Sequence, residues 1–205
     1  MNCPLCHSPL KTLIDTDYFD CSGCRALVKN PSLLPTPEEE QKRYESHNND
    51  VNDPRYQKFT APIWQYILEH FNREDLGLDF GSGTGPVISK MLLDKGYTIK
   101  QYDPFFSPDY ALLDLNYHYI ACCEVVEHFF HPRDEFTKLD RMLLPGGTFV
   151  GMTLLYNDGI DFKTWSYRKD ETHVFIYRKE TLEYIARLFD YKLTELTNRF
   201  FVFEK

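Results

Sequence analysis

The stretch Leu78-Asp79-Phe80-Gly81-Ser82-Gly83-Thr84-Gly85 decides how this chain is read. The short apolar run before it predicts a buried strand over residues 77–80. The pattern after it predicts a helix over residues 84–95, stopped by Gly96. Glycines at a strand-to-helix turn let a ligand approach bare backbone, next to the unpaired N–H groups at the helix start. A nicotinamide dinucleotide turn has the spacing G-x-G-x-x-G; here the spacing is G-x-G-x-G and Pro86 follows. No Gly-Lys-Ser/Thr follows either, which excludes a Walker loop. Asp79, two positions before the first glycine, suits a ligand carrying an amino group. Taken alone, the turn could also be a tight connection that binds nothing.

Working outward, the pattern alternates. Helices are expected over residues 61–71, 134–144 and 179–189, and strands over 97–102, 119–125 and 148–154. An antiparallel pair over 193–197 and 199–203 closes the chain. Such alternation implies an α/β fold with a largely parallel sheet, and ligands in such sheets sit at the carboxyl ends of the strands. Asp103 ends the strand after the glycine turn, where an acid can accept bonds from ribose hydroxyls.

With these stretches in view, the chain resembles class I S-adenosylmethionine-dependent methyltransferases. The resemblance covers roughly residues 60–205 and rests on Asp79 to Gly85, Asp103, Cys123-Glu124-Val125-Val126-Glu127-His128 and Leu144-Pro145-Gly146-Gly147. It implies a Rossmann-like seven-stranded sheet with the last strand antiparallel, and S-adenosylmethionine as cofactor. By resemblance, Asp79, Gly81, Ser82, Gly83 and Gly85 cradle the methionine part, Asp103 holds the ribose and Glu124 lies beside it. The E-V-V-E-H form is most similar to the ubiquinone-biosynthesis-type subgroup, which acts mainly on small molecules. One departure stands out. Fifteen residues separate Asp103 from Tyr119, whereas a parallel crossover alone takes about a dozen. The third strand is therefore expected to be shortened or missing. The acid that commonly contacts adenine has only Asp114 as a substitute.

Residues 1–30 read as a separate zinc ribbon. Cys3, Cys6, Cys21 and Cys24 form two C-x2-C pairs, the spacing of a four-thiolate structural zinc site with no open position. His7 reads as a bystander, and Cys122 and Cys123 as buried strand residues. Residues 31–58 read as a linker or a lid, with a short helix around residues 38–44. In the lid reading Tyr44, His47 and Asn49 line the site. The main domain then spans residues 59–205. Within it, Trp165, Tyr167 and Tyr177 could wall an acceptor pocket with His173 as its polar group, or could pack as a surface loop. His128 and His173 are the candidate bases, with Glu127 to orient either. No second metal cluster is visible along the chain.

The net charge of −8 disfavours a broad nucleic-acid-binding face. No apolar run reaches the roughly 18 residues of a membrane span, and no secretory pattern opens the chain, so the cytoplasm is the expected compartment. The expected reaction is methyl transfer to a small polar acceptor. Alternatives are an RNA methyltransferase guided by the ribbon, and an inactive scaffold whose ribbon binds a protein partner.

Overall fold

The computed structural model describes residues 1–46 and 49–205. His47, expected to line the site, lies outside the described residues. A main sheet is built from β4 (Gly77–Phe80), β5 (Ile99–Tyr102), β6 (Tyr117–Cys123), β7 (Leu143–Met152), β9 (Lys192–Leu196) and β10 (Phe200–Glu204). Their spatial order is β5-β4-β6-β7-β10-β9. Neighbours from β5 to β7 pair in parallel, and β10 runs antiparallel to both β7 and β9.

Among the described residues the sheet has six strands rather than seven. Between Asp103 and β6 the chain makes a single 3-10 turn, Tyr110–Asp114, and goes straight into the next strand. The segment is too short for a helix, a strand and the return, so the third strand and its helices are missing rather than shortened. Asp114 lies exposed on that turn.

Period-two alternation gives the sheet two apolar faces. Tyr119, Ala121, Val150 and Val202 point to one side, where Ile63 and Ile67 of α2 (Pro54–His70) and Ile88 and Leu92 of α3 (Val87–Leu93) cover them. Ile120, Cys122, Phe149, Phe201 and Phe203 point to the other. There Phe136 and Leu139 of α4 (Pro132–Met142) and Leu182 and Ile185 of α5 (Lys179–Phe189) pack on them. Each fully buried side chain of this kind contributes roughly 1.5–3 kcal/mol.

Boundaries differ from expectation for local reasons. α2 starts at Pro54, seven residues before the expected Ala61, because Asp53 Oδ1 accepts the Arg55 N–H at 2.8 Å and caps it. α3 starts at Val87 because Pro86 (ψ 67°) is not helical. β6 stops at Cys123, since Glu124 turns into the left-handed region with φ 52°. α1 (Pro37–Glu45) is fixed by a capping box in which Glu39 N–H donates to Thr36 Oγ1 and Thr36 N–H donates to Glu39 Oε2.

The amino-terminal residues form β1 (Thr12–Leu13), β2 (Tyr18–Asp20) and β3 (Leu27–Lys29). β3 also pairs with β8 (Phe175–Ile176), so this small sheet takes its fourth strand from the other end of the chain. Cys3, Leu5, Cys21 and Cys24 belong to the same apolar cluster as Phe136 and Leu182. No described helix is long and apolar enough to cross a membrane.

Candidate active site

The residues that follow β4, β5 and β6 are Gly81, Asp103 and Glu124, and all three open onto one cavity of about 720 Å³. The three glycines of the turn meet different surroundings. A Cβ on Gly81 (φ 77°) would strike Val125 Cγ2 at 2.4 Å, and one on Gly85 would strike the Asn49 carbonyl oxygen at 1.8 Å. One on Gly83 (φ 62°) would meet nothing nearer than Asn49 Nδ2 at 3.8 Å. Gly81 and Gly85 are thus held by packing, whereas Gly83 leaves bare backbone facing space. Ser82 and Thr84 complete the lining of this side, and Gly85 stands behind Asn49 rather than in the cavity.

Asp103 locks the turn. Its Oδ2 accepts the Gly83 N–H at 2.9 Å, and its Oδ1 accepts those of Phe105 and Phe106 at 2.9 and 3.1 Å. It lines the cavity with Tyr102, Phe105 and Phe106. Asp79 is buried behind the turn, where Ser89 Oγ donates to its Oδ2 at 2.8 Å. Burial pushes the Asp79 carboxyl up to about 6, against the pull of the Ser89 bonds. A carboxyl raised on folding costs stability once the pH passes its unfolded value, and the cost is complete above its folded value. Wild-type protein should therefore lose about 2–3 kcal/mol relative to Asp79→Asn between about pH 4 and pH 7. Urea unfolding of both proteins across that range measures it, and a difference that does not move with pH would refute it.

The far side of the cavity is polar. Glu124 pairs with Arg199 Nη1 at 2.9 Å, and its Oε1 is buried with no hydrogen-bond partner among the described residues. Glu127 is fully buried. Its Oε1 accepts from Tyr167 Oη, and its Oε2 has no hydrogen-bond partner among the described residues. Burial raises both carboxyls above their ordinary range, and the Glu127 charge adds to the shift at Glu124. His128 Nδ1 lies 2.8 Å from the Thr172 carbonyl, and His173 Nδ1 lies 2.7 Å from the Tyr167 carbonyl. Burial lowers His128, and lowers His173 to about 3, so both imidazoles are neutral. With Nδ1 donating to a carbonyl, each keeps a lone pair on Nε2. The two rings lie 5.0 Å apart, and Tyr44 stands 5.2 Å from His128.

Of the expected site residues, the cavity brings together Gly81, Ser82, Gly83, Asp103, Glu124, Tyr44, His128 and His173, with Asn49 and Tyr167. Glu127 sits just behind, against Tyr167. Trp165 and Tyr177 do not wall it. Trp165 packs on Tyr156 and Phe162, and Tyr177 is buried with its hydroxyl on the Val126 carbonyl. Asp114 is outside it, whereas Cys123, expected to be buried structure, lines it. Sequence reading missed Arg199, Glu40 and Asp170, which carry no motif of their own. Asp170 binds Arg43 at 2.7 Å and so ties α1 across the mouth.

The second cluster is the four cysteines. One sulfur from each lies within 4.8 Å of the others, with Cys3 Sγ to Cys24 Sγ at 3.6 Å and Cys6 Sγ to Cys21 Sγ at 3.4 Å. The two pairs are built alike: His7 N–H closes on the Cys3 carbonyl and Arg25 N–H on the Cys21 carbonyl, with His7 and Arg25 at φ 60° and 64°. His7 is outside the sulfur cluster, as a bystander would be.

The fold has solved counterparts. It is similar to 1,6-didemethyltoxoflavin-N1-methyltransferase from Burkholderia thailandensis, solved with 1,6-didemethyltoxoflavin and S-adenosylhomocysteine (TM-score 0.60, 14% identity, 96% of this chain and 99% of that one). An O-methyltransferase family protein from the same organism matches with a TM-score of 0.54, 12% identity and coverage of 85% and 65%. The N-methyltransferase NodS from Bradyrhizobium japonicum WM9, bound to S-adenosylhomocysteine, matches at 0.51, 14%, 81% and 96%. No protein of curated function matches the sequence. A family model described as "Methyltransferase domain" matches residues 53–196, from the cap of α2 to the end of β9. The chain belongs to that methyltransferase-domain family.

Proposed function

We propose that this chain transfers the methyl group of S-adenosylmethionine to a small polar acceptor. The observation that carries this is one cavity that has bare Gly83 backbone and Asp103 on one side and two neutral histidines on the other. Its volume suits small-molecule ligands, whose sites span roughly 300–1,000 Å³. The fit of the cofactor rests on the open space at Gly83, the one glycine of the turn where a side chain would enter the cavity. Gly81, Ser82 and Gly83 would hold the amino-acid end, with Asp79 behind. Asp103 would hold the ribose and Glu124 would lie beside it. The relatives solved with S-adenosylhomocysteine support this choice of cofactor.

When bound, S-adenosylmethionine supplies an electrophilic methyl group. The chain's part is to align the acceptor, exclude water and receive or release a proton. Tyr44, Tyr167, His128 and His173 surround the acceptor end, and α1 covers it through Arg43 and Asp170. The lining contains Glu40, Asp103, Glu124, Glu135 and Asp170 against Lys138 and Arg199. That balance supports a small polar acceptor over RNA, whose phosphates would demand more cations. It also fits the likeness of Cys123 to His128 to the ubiquinone-biosynthesis-type subgroup. The four cysteines would hold a structural zinc, and such thiolates suit a reducing compartment such as the cytoplasm. A tritiated-methyl transfer screen against fractionated metabolites, RNA and protein tests the reading. Label in the metabolite fraction is expected, reduced by His128→Ala and His173→Ala far more than cofactor affinity is. Label confined to RNA or protein would overturn the acceptor class.

A further inference from the structure

We infer that Glu127, His128 and His173 form a binding site for one divalent transition-metal ion, facing the acceptor end of the cavity. The inference deepens the methyltransferase reading and, for the role of the metal, rests on it. Each of the three residues offers one ligand atom, and these atoms all lie within 4.8 Å of one another.

The surroundings are those of a ligand set. Each imidazole has its Nδ1 occupied by a main-chain carbonyl, Thr172 for His128 and Tyr167 for His173. That contact fixes the ring and leaves Nε2 as the ligating atom, the usual outer support of a metal-bound histidine. Tyr167 donates to Glu127 Oε1 and orients the carboxylate. Glu127 Oε2 is buried with no hydrogen-bond partner among the described residues. A fully buried carboxylate oxygen with nothing bound to it is expensive, and a cation beside it removes the expense. Arg199 acts on Glu127 through its charge, but its guanidinium pairs with Glu124 at 2.9 Å and makes no hydrogen bond to Glu127 Oε2.

Two imidazoles and one carboxylate favour ions such as manganese, iron, cobalt or zinc over calcium or magnesium, which prefer all-oxygen sites. Three protein ligands leave positions open, and His128 and His173 line the cavity, so an acceptor oxygen can complete the shell. A metal-bound hydroxyl loses its proton more easily. The proton passes to water at the cavity mouth and the oxygen keeps the electron pair. That pair forms the new bond to the methyl carbon as the carbon–sulfur bond breaks and its electrons stay on sulfur. The histidines then act as ligands and not as bases.

The test is manganese(II) titration of the full chain carrying one equivalent of zinc, enough for the four thiolates alone, followed by the electron paramagnetic resonance signal of free manganese. Manganese stands lowest in the affinity order and prefers harder ligands, so it leaves a thiolate zinc in place. One manganese ion per chain is expected. Glu127→Gln and His128→Ala should each weaken it by ~10-fold or more, with S-adenosylhomocysteine binding retained. His128 is only half-buried, so its variant carries the test if Glu127→Gln does not fold. No loss of free-manganese signal, or equal affinity in wild type and both variants, would overturn the site. Manganese binding without any binding of S-adenosylhomocysteine would leave the site standing and overturn the methyltransferase reading instead.

Discussion

Gly83→Asp should abolish binding of S-adenosylhomocysteine in a protein that still folds. Gly83 has φ 62° and open space beyond it, so a side chain can be housed, but only inside the cavity. The left-handed backbone makes any other residue cost roughly 1–2 kcal/mol, a loss the fold can absorb. The new carboxylate would fill the space proposed for the amino-acid end of the ligand and repel its carboxylate at short range. A loss of ~100-fold or more in affinity is expected, equivalent to about 2.7 kcal/mol. Gly83→Ala, adding only a methyl group, should weaken binding less. Fluorescence or calorimetric titration measures both. Undiminished affinity in folded Gly83→Asp would remove the cofactor from this turn.

Cys24→Ser should cost both stability and turnover, while cofactor binding survives. Sequence reading alone expects a ribbon that can unfold without consequence for the main sheet. The structure ties it in. Tyr18 Oη donates to the His173 carbonyl at 2.6 Å, and Arg178 grips Asp20 through both terminal nitrogens at 2.9 and 3.0 Å. Arg168 holds Asp15 at 2.8 Å and also binds Asp17. These bonds, with the β3–β8 pairing, fix the segment that carries Tyr167, Asp170 and His173. Loss of one ligand of the proposed zinc should loosen that segment, whereas Gly81 to Gly83 and Asp103 lie on the other sheet. A structural zinc site contributes on the order of 10 kcal/mol in isolated small units. Part of that is offset when only one unit opens. A fall in Tm of about 10 °C or more is expected, at about 2–4 °C per kcal/mol for a chain of this length. Methyl transfer should drop by ~10-fold or more as the acceptor side loses its alignment. Calorimetric unfolding and turnover assays on the same preparation check it. Unchanged turnover would show that the four-cysteine unit does not support the acceptor site.

Much of the fold was legible because it is local. The glycine turn, the alternation of strands and helices, and the acid at Asp103 are written within short windows, and the two C-x2-C pairs announce their own cluster. What escaped depends on contacts between distant parts of the chain. Nothing in Phe175-Ile176 says that it pairs with Leu27-Val28, so the ribbon looked separable. Glu124 and Arg199 meet only because β6 and the β9–β10 turn end at the same edge of the sheet. The grouping of Glu127 and His128 with His173 likewise needs the insert after β7 to fold back over the 3-10 turn at Val126–His128. That is why no second metal cluster could be seen in the sequence. Aromatic residues misled in the other direction. Trp165 and Tyr177 look like pocket walls by type, but Tyr177 is buried and Trp165, partly buried, packs on Tyr156 and Phe162; packing against other apolar groups is the commoner fate of large rings.

Calorimetric titration of the full zinc-loaded chain with S-adenosylhomocysteine tests the assignment most directly, because it needs no knowledge of the acceptor. A methyltransferase built on this cavity gives one saturable site per chain, removed by Gly83→Asp and retained in Cys24→Ser. No heat of binding up to millimolar ligand, in wild-type protein whose circular dichroism shows it folded, would contradict the assignment.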